Sequence, residues 1–136
     1  MTKGTDSQMS NQSALILYQP SQVIYFSCVG FSPMGAGWYL AEVQTAFKGP
    51  TLVTSFDSEG ESEYSHFNTL YDCDALVILP RRYYLGEMAM WEAKVMFALK
   101  RNVLVFTPEN SMRKVDTLED LGLHINSKVK YRKEVK

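Results

Sequence analysis

One carboxylate, Glu92, stands where the apolar stripe of a predicted helix should be uninterrupted. At about 100° of rotation per helical residue, Met88 and Met96 lie about 40° to either side of it. A carboxylate on such a face is costly unless it is hydrogen-bonded, paired with a charge, or open to a polar pocket. Two interpretations follow: Glu92 belongs to a functional site, or it is satisfied by Arg81, by Arg82 or by solvent.

Three small residues, Ser27, Cys28 and Gly30, stand at the carboxyl end of the first predicted strand. Backbone amides in such a loop can hold a phosphate, and Arg82 could add positive charge. The glycines of 30–37 do not match the spacing of a dinucleotide-binding loop. Cys28 has no evident base partner in the sequence, so we interpret it as a small buried strand residue rather than a nucleophile.

Strands and helices alternate along the chain, and these elements must position the candidate residues. Runs of β-branched and aromatic residues predict four strands, at 23–29, 51–56, 75–79 and 103–106. Helical spacing and stop signals predict three helices, at 38–47, 64–72 and 86–101. The alternation predicts an α/β fold, a flavodoxin- or Rossmann-like three-layer sandwich with a mostly parallel sheet of four to five strands. Ligands bind beyond the carboxyl ends of such strands, which here are followed by the loops 27–37, 56–66 and 80–88.

The two ends of the chain lack this alternation. Residues 1–13 are polar and without periodicity, which predicts a disordered leader before a single domain at 14–136. An apolar run at 14–18 could form an extra edge strand. Towards the C-terminus we expect a short helix at 117–121, and either a last strand or a basic tail at 129–135.

Composition excludes several classes of function. Fourteen basic and fifteen acidic side chains give a net charge of −1, so no overall field favours nucleic acid or a membrane surface. No apolar run reaches the about 18 residues that a membrane span needs, and the polar N-terminus does not resemble a secretory signal. The two cysteines form neither a disulfide framework nor a metal-ligand spacing, which predicts a cytoplasmic protein without a metal. We expect no cofactor.

Three segments of the chain carry a resemblance to a known family. Residues 23–30 (VIYFSCVG), 70–80 (LYDCDALVILP) and 92–103 (EAKVMFALKRNV) are similar to an opening strand, an aspartate-led strand and a glutamate-bearing helix. The family that these segments resemble is the nucleoside 2-deoxyribosyltransferase-like family. It comprises the transferases, related nucleotide N-glycoside hydrolases and short relatives without an assigned activity.

This resemblance implies a chemical role for Glu92. In the family the matching glutamate attacks the anomeric carbon and forms a covalent glycosyl-enzyme, while another group protonates the departing base. Tyr25 and the small residues after it would line the nucleoside site. His66 takes the place of a common aspartate and would bind or protonate the substrate; the alternative for it is an exposed helix position. Gly86 would allow a close backbone approach, whereas Met88 crowds a place that relatives give to glycine.

Three hypotheses about function follow. The first is an enzyme that cleaves or transfers the N-glycosidic bond of a small nucleoside or nucleotide through Glu92. The second is an inactive binder of a nucleotide-like ligand, or a protein-interaction module, on the same fold. The third is an NAD-cleaving domain similar to TIR domains, which also use a helix glutamate.

The face of this helix opposite Glu92 bears on oligomeric state. Met90 and Phe97 lie there among charged residues, and they either fill space under a neighbouring helix or form a subunit contact. We expect a homodimer or a higher homo-oligomer.

Overall fold

The computed structural model describes residues 22–57, 60–81 and 85–122. Within these ranges the strands are β1 Val23–Ser27, β2 Thr51–Thr54, β3 Ala75–Ile78, β4 Asn102–Phe106 and β5 Met112–Val115. They form one sheet in the order β2-β1-β3-β4-β5, in which β5 runs antiparallel to β4 and all other neighbours are parallel. The predicted α/β fold with a mostly parallel sheet is confirmed, and its strand order is flavodoxin-like.

Within the same ranges the two faces of this sheet are covered by helices α1 Pro33–Ala46, α2 Glu63–Tyr71 and α3 Glu87–Ala98. Because side chains alternate along a strand, β1 serves both faces. Ile24 and Phe26 pack with Val43 of α1, whereas Tyr25 packs in the other half of the core, with residues of α2 and α3. The two connections that leave β1 and β3 therefore lie on opposite faces of the sheet.

Helix α1 begins earlier than the sequence predicted. The expected loop at 30–37 is wrong for residues 33–37, which form the first turns of the helix. Ser32 caps the helix by accepting a hydrogen bond from the Gly35 backbone amide at 2.9 Å, and Pro33 stands in the first turn, where its missing N–H costs nothing. The Ser-Pro pair was the start signal, and the two glycines that follow obscured it.

Strand β5 was not predicted. Pro108 ends β4 as expected, but the chain reverses through Asn110, whose φ is +65°, and pairs back onto β4. The exposed side chains of Arg113 and Lys114 give β5 little apolar character, because an edge strand needs only one covered face. Residues 118–122 are helical, close to the short helix expected at 117–121.

Some predictions concern residues outside the described ranges. These are the leader at 1–13, the edge strand at 14–18, the element at 129–135 and the side chain of Arg82. Among the described residues, no helix has the length and apolar character needed to cross a membrane.

Candidate functional site

A cleft of about 710 Å³ opens at the carboxyl edge of the sheet. Its walls come from the chain after β1 and β2, from the segment that leads into α2, and from the first turns of α3. In doubly wound sheets ligands bind at this edge, next to the strands whose connections diverge. Five of the residues predicted from the sequence meet in its lining: Tyr25, Cys28, Gly30, His66 and Glu92.

Glu92 lies in the second turn of α3 and its side chain has 0% of its surface exposed. One carboxylate oxygen, Oε2, lies 2.7 Å from Nε2 of His66 on the neighbouring helix α2. The other oxygen, Oε1, is buried and has no hydrogen-bond partner among the described residues. An unsatisfied buried oxygen is costly, so its orientation calls for an explanation beyond packing. The interpretation in which Glu92 turns towards solvent is wrong.

His66 is only 5% exposed, so its interpretation as an exposed helix position is also wrong. Its ring stacks on Trp91 with centroids 5.5 Å apart, and the edge of Tyr25 meets it at 5.3 Å. On the side opposite Glu92, Nδ1 lies 3.6 Å from Oε1 of Glu61, which is beyond hydrogen-bond reach. The imidazole is therefore held in one orientation by two aromatic rings and lies between two carboxylates.

The protonation of His66 follows from these contacts. The hydrogen bond to Glu92 raises the pKa of His66 above its ordinary value of 6.5; burial opposes this shift, and the charges of Glu92 and Glu61 add to it. The raised pKa favours the imidazolium form of His66, whose Nε2–H donates to Oε2 of Glu92. His66 is thus the buried partner of Glu92, the role that the sequence analysis assigned to Arg81 or Arg82.

Cys28 lies in the cleft wall next to Ser55. Its backbone amide donates to the Ser55 hydroxyl at 2.9 Å, and its sulfur lies 3.3 Å from the same oxygen. Burial raises the pKa of the Cys28 thiol, more than its hydrogen bonds to Ser55 lower it. The thiol is therefore neutral at physiological pH, which supports its interpretation as a structural wall residue rather than a nucleophile.

Two of the remaining predicted residues, Ser27 and Gly86, line a second, smaller cavity of about 100 Å³. Ser27 and Gly86 line it together with Arg81 and Leu79, and the hydroxyl of Ser27 is buried without a hydrogen-bond partner among the described residues. Both cavities are lined by Val29, Glu87 and Met88, so they adjoin one another. Ser27 and Gly86 therefore line a different cavity from Glu92 and His66.

Gly30 has a conformational reason for its place in the cleft wall. Its φ is +93°, and a Cβ at this position would lie 2.6 Å from Nε of Arg81. The backbone therefore needs glycine both for its dihedral angle and for the arginine side chain that packs against it. Gly30 thus lines one wall of the cleft, while Arg81, which packs against it, lines the smaller cavity.

Sequence reasoning missed two residues of the site, Trp91 and Glu61. Trp91 precedes Glu92 on α3, and only the tertiary packing of α2 against α3 reveals that its ring covers His66. Glu61 belongs to an acidic segment that reads as a solvated loop, because several carboxylates in a row carry no positional signal. Among the described residues, no group of three or more His, Cys, Asp or Glu side chains is placed to hold a metal ion.

Comparison with known proteins adds no assignment: no family model matches this chain, and no curated protein matches it. The resemblance to the deoxyribosyltransferase-like family therefore depends on the residues of the three segments. Any function depends on the geometry of the cleft.

Proposed function

We propose that this protein cleaves or transfers the N-glycosidic bond of a small nucleoside or nucleotide, as a member of the nucleoside 2-deoxyribosyltransferase-like family. One observation carries the proposal. Glu92 is a fully buried carboxylate with one oxygen held by a histidine and the other unpartnered among the described residues, in the wall of a cleft. This is the state that a carboxylate nucleophile requires.

In the first step Oε1 of Glu92 attacks the anomeric carbon of the sugar. The new bond joins Oε1 to that carbon, the bond from the carbon to the base nitrogen breaks, and its electron pair leaves with the base. The contact from His66 at 2.7 Å fixes Oε2, so the free oxygen keeps one direction. Trp91 and Tyr25 hold the imidazole and thereby the carboxylate.

In the second step His66 acts as the base. Ester formation neutralises the carboxylate of Glu92, whose hydrogen bond to His66 is the largest cause of the raised pKa of His66. The imidazolium then releases its Nε2 proton to solvent in the cleft, which leaves a lone pair on the nitrogen that lies next to Glu92. Neutral His66 takes a proton from water or from an acceptor base, which attacks the anomeric carbon and returns the electron pair to the carboxylate.

Substrate access requires movement of side chains. Glu92 has no exposed surface, whereas Met88, one turn earlier on α3, is 48% exposed at the cleft. The sequence suggested that Met88 would crowd the site, and its flexible thioether is the side chain best able to yield. We expect Met88→Gly to lower KM, and to leave the order of substrates unchanged.

The proposal is tested by incubating the full chain with a panel of ribo- and deoxyribonucleosides and their monophosphates and measuring free base. Wild type should release base from at least one member, and Glu92→Gln should release it at least about a thousandfold more slowly. Glu42→Gln on the outer side of α1 removes the same charge far from the cleft and should be fully active. Release of no base by wild type across the panel would exclude the enzyme.

A second candidate function, a binder on the same fold, is favoured by one observation: solvent does not reach Glu92. Such a binder would be stabilised against heat by a nucleoside without consuming it. The base-release assay and the thermal shift together separate the two candidates. An enzyme should both release base and be stabilised against heat by a nucleoside, whereas a binder should show only the thermal stabilisation.

The same proposal includes the oligomeric state and the cellular compartment of the protein. We propose a homodimer in the cytoplasm, with the exposed Met90 on α3 at the subunit contact. Both Cys28 and Cys73 are free thiols, as a reducing compartment allows. Light scattering of the purified chain tests the dimer, and a monomer at all concentrations would contradict it.

A further inference from the structure

The cleft around Glu92 is acidic. Four carboxylates line it, Glu61, Glu63, Glu87 and Glu92, and the described lining residues include neither lysine nor arginine. Even with His66 protonated, the described lining residues keep a surplus of negative charge. A cleft lined by charges of one sign concentrates ligands of the opposite sign.

The remaining walls are largely aromatic. Rings of Phe31, Phe56 and Trp91 line the same cleft. The faces of such rings attract cations, most strongly where water is excluded. Carboxylates and aromatic faces together are the surroundings that recognise a flat organic cation.

Neither His66 nor Cys28 offers a free proton to the departing base. The proton of His66 is already held by Glu92 at 2.7 Å, and the thiol of Cys28 has a raised pKa. A neutral base leaves slowly unless it is protonated. A base that already bears a positive charge needs no proton, because it becomes neutral when it takes the electron pair of the glycosidic bond.

We propose that the cleft binds an unphosphorylated nucleoside whose base is a permanent cation, such as a pyridinium or an N7-alkylated purine. Glu92 is the nucleophile, and its Oε1, which is buried and unpartnered among the described residues, belongs to the cleft wall. The turnover part of this inference rests on the proposed function. Oε1 bonds to the anomeric carbon, the carbon–nitrogen bond breaks, and the base leaves uncharged. Water then releases the sugar from the ester, and its proton passes through His66 to solvent.

This charge balance narrows the range of substrates. A phosphate group would add about two negative charges to a cleft that already has a surplus of them. Nucleoside monophosphates and dinucleotides should therefore bind more weakly than the parent nucleoside.

Binding is tested with three probes that share one ribose: nicotinamide riboside, which is cationic; its neutral dihydro form; and its monophosphate. Calorimetry on full-length Glu92→Gln prevents turnover, and thermal shifts of wild type provide the same ranking if that variant folds poorly. The cationic probe should bind at least about tenfold more tightly than the neutral one, and the monophosphate should not bind more tightly than the cationic one. Added salt should weaken the binding of the cationic probe and leave the affinity for the neutral probe unchanged.

Charge variants locate the preference in the cleft. The double variant Glu61→Gln/Glu63→Gln should reduce the preference for the cationic probe to less than about threefold, because it removes two lining charges. Glu42→Gln, with the same change on the outer side of α1, should keep it. Equal or tighter binding of the neutral or phosphorylated probe, or no binding of any probe, overturns the inference.

Turnover separates this inference from the proposed function. If wild type releases base from neutral nucleosides as fast as from the cationic probe, the charge selectivity is wrong and the glycosidase stands. If the cationic probe binds preferentially but no base is released from any probe, the charge selectivity stands and the glycosidase is wrong.

Discussion

Replacing His66 with leucine should strongly destabilise the fold, because it leaves the fully buried carboxylate of Glu92 without its cation. Removing one partner of a buried ion pair costs about 3–5 kcal/mol. For a domain of this size that loss corresponds to a decrease in Tm of about 10–20 °C.

The double variant His66→Leu/Glu92→Met isolates the charge from the loss of volume. Replacing both partners with apolar side chains removes the buried charge altogether, so the double variant should be more stable than His66→Leu alone. Urea unfolding at pH 7 provides the free energies of unfolding for a double-mutant cycle. Asn68→Leu, at an exposed position of the same helix, is the control and should change stability by less than about 0.5 kcal/mol. A loss below about 1 kcal/mol for His66→Leu would refute the reasoning.

Three further predictions follow from single residues. The raised pKa of His66 stabilises the fold fully below pH 6.5, and this contribution is lost as the pH rises through the folded-state pKa. Wild type should therefore lose stability above neutral pH relative to His66→Gln in urea titrations, and parallel curves would contradict this. Gly30→Ala should cost about 1–3 kcal/mol, because φ is +93° and Arg81 occupies the space; Gly37→Ala, in open space within α1, should stabilise by about 0.5–1 kcal/mol. The same urea titrations measure both glycine variants, and equal effects of the two would contradict the conformational argument. Cys28 should react with iodoacetamide at pH 8 at least about a hundredfold more slowly in the folded chain than in urea, since burial raises its pKa. Fast labelling of the folded chain would contradict a neutral thiol.

The sequence predicted the fold because its strands are long apolar runs separated by clear stop signals. The run at 75–79 and the run at 103–106 became β3 and β4 with only small shifts of their ends. The predictions were wrong where a short start signal for a helix or strand stood among residues that are typical of a loop. Ser32 and Pro33 start α1 within a glycine-rich stretch, and β5 carries exposed charges that resemble a loop.

The candidate site was predicted in part, for physical reasons. Helical geometry identified Glu92, because a carboxylate within an apolar stripe is anomalous in sequence as well as in space. The partner could not be found in this way: His66 lies on another helix, and only the packing of α2 against α3 brings the two within 2.7 Å. The same packing places Trp91 over the imidazole and Glu61 beyond it, and neither contact leaves a pattern in the sequence.

The most direct test of the proposed chemistry is peptide mass spectrometry of the chain quenched with acid during incubation with nucleosides. We predict one added glycosyl group on the peptide that contains Glu92, absent from Glu92→Gln and present in Glu87→Gln. The adduct should disappear when an acceptor base is added before the quench. Release of free base from wild type without any adduct on Glu92 would contradict the covalent mechanism, and a glycosyl group on a different residue would contradict the assignment of the nucleophile.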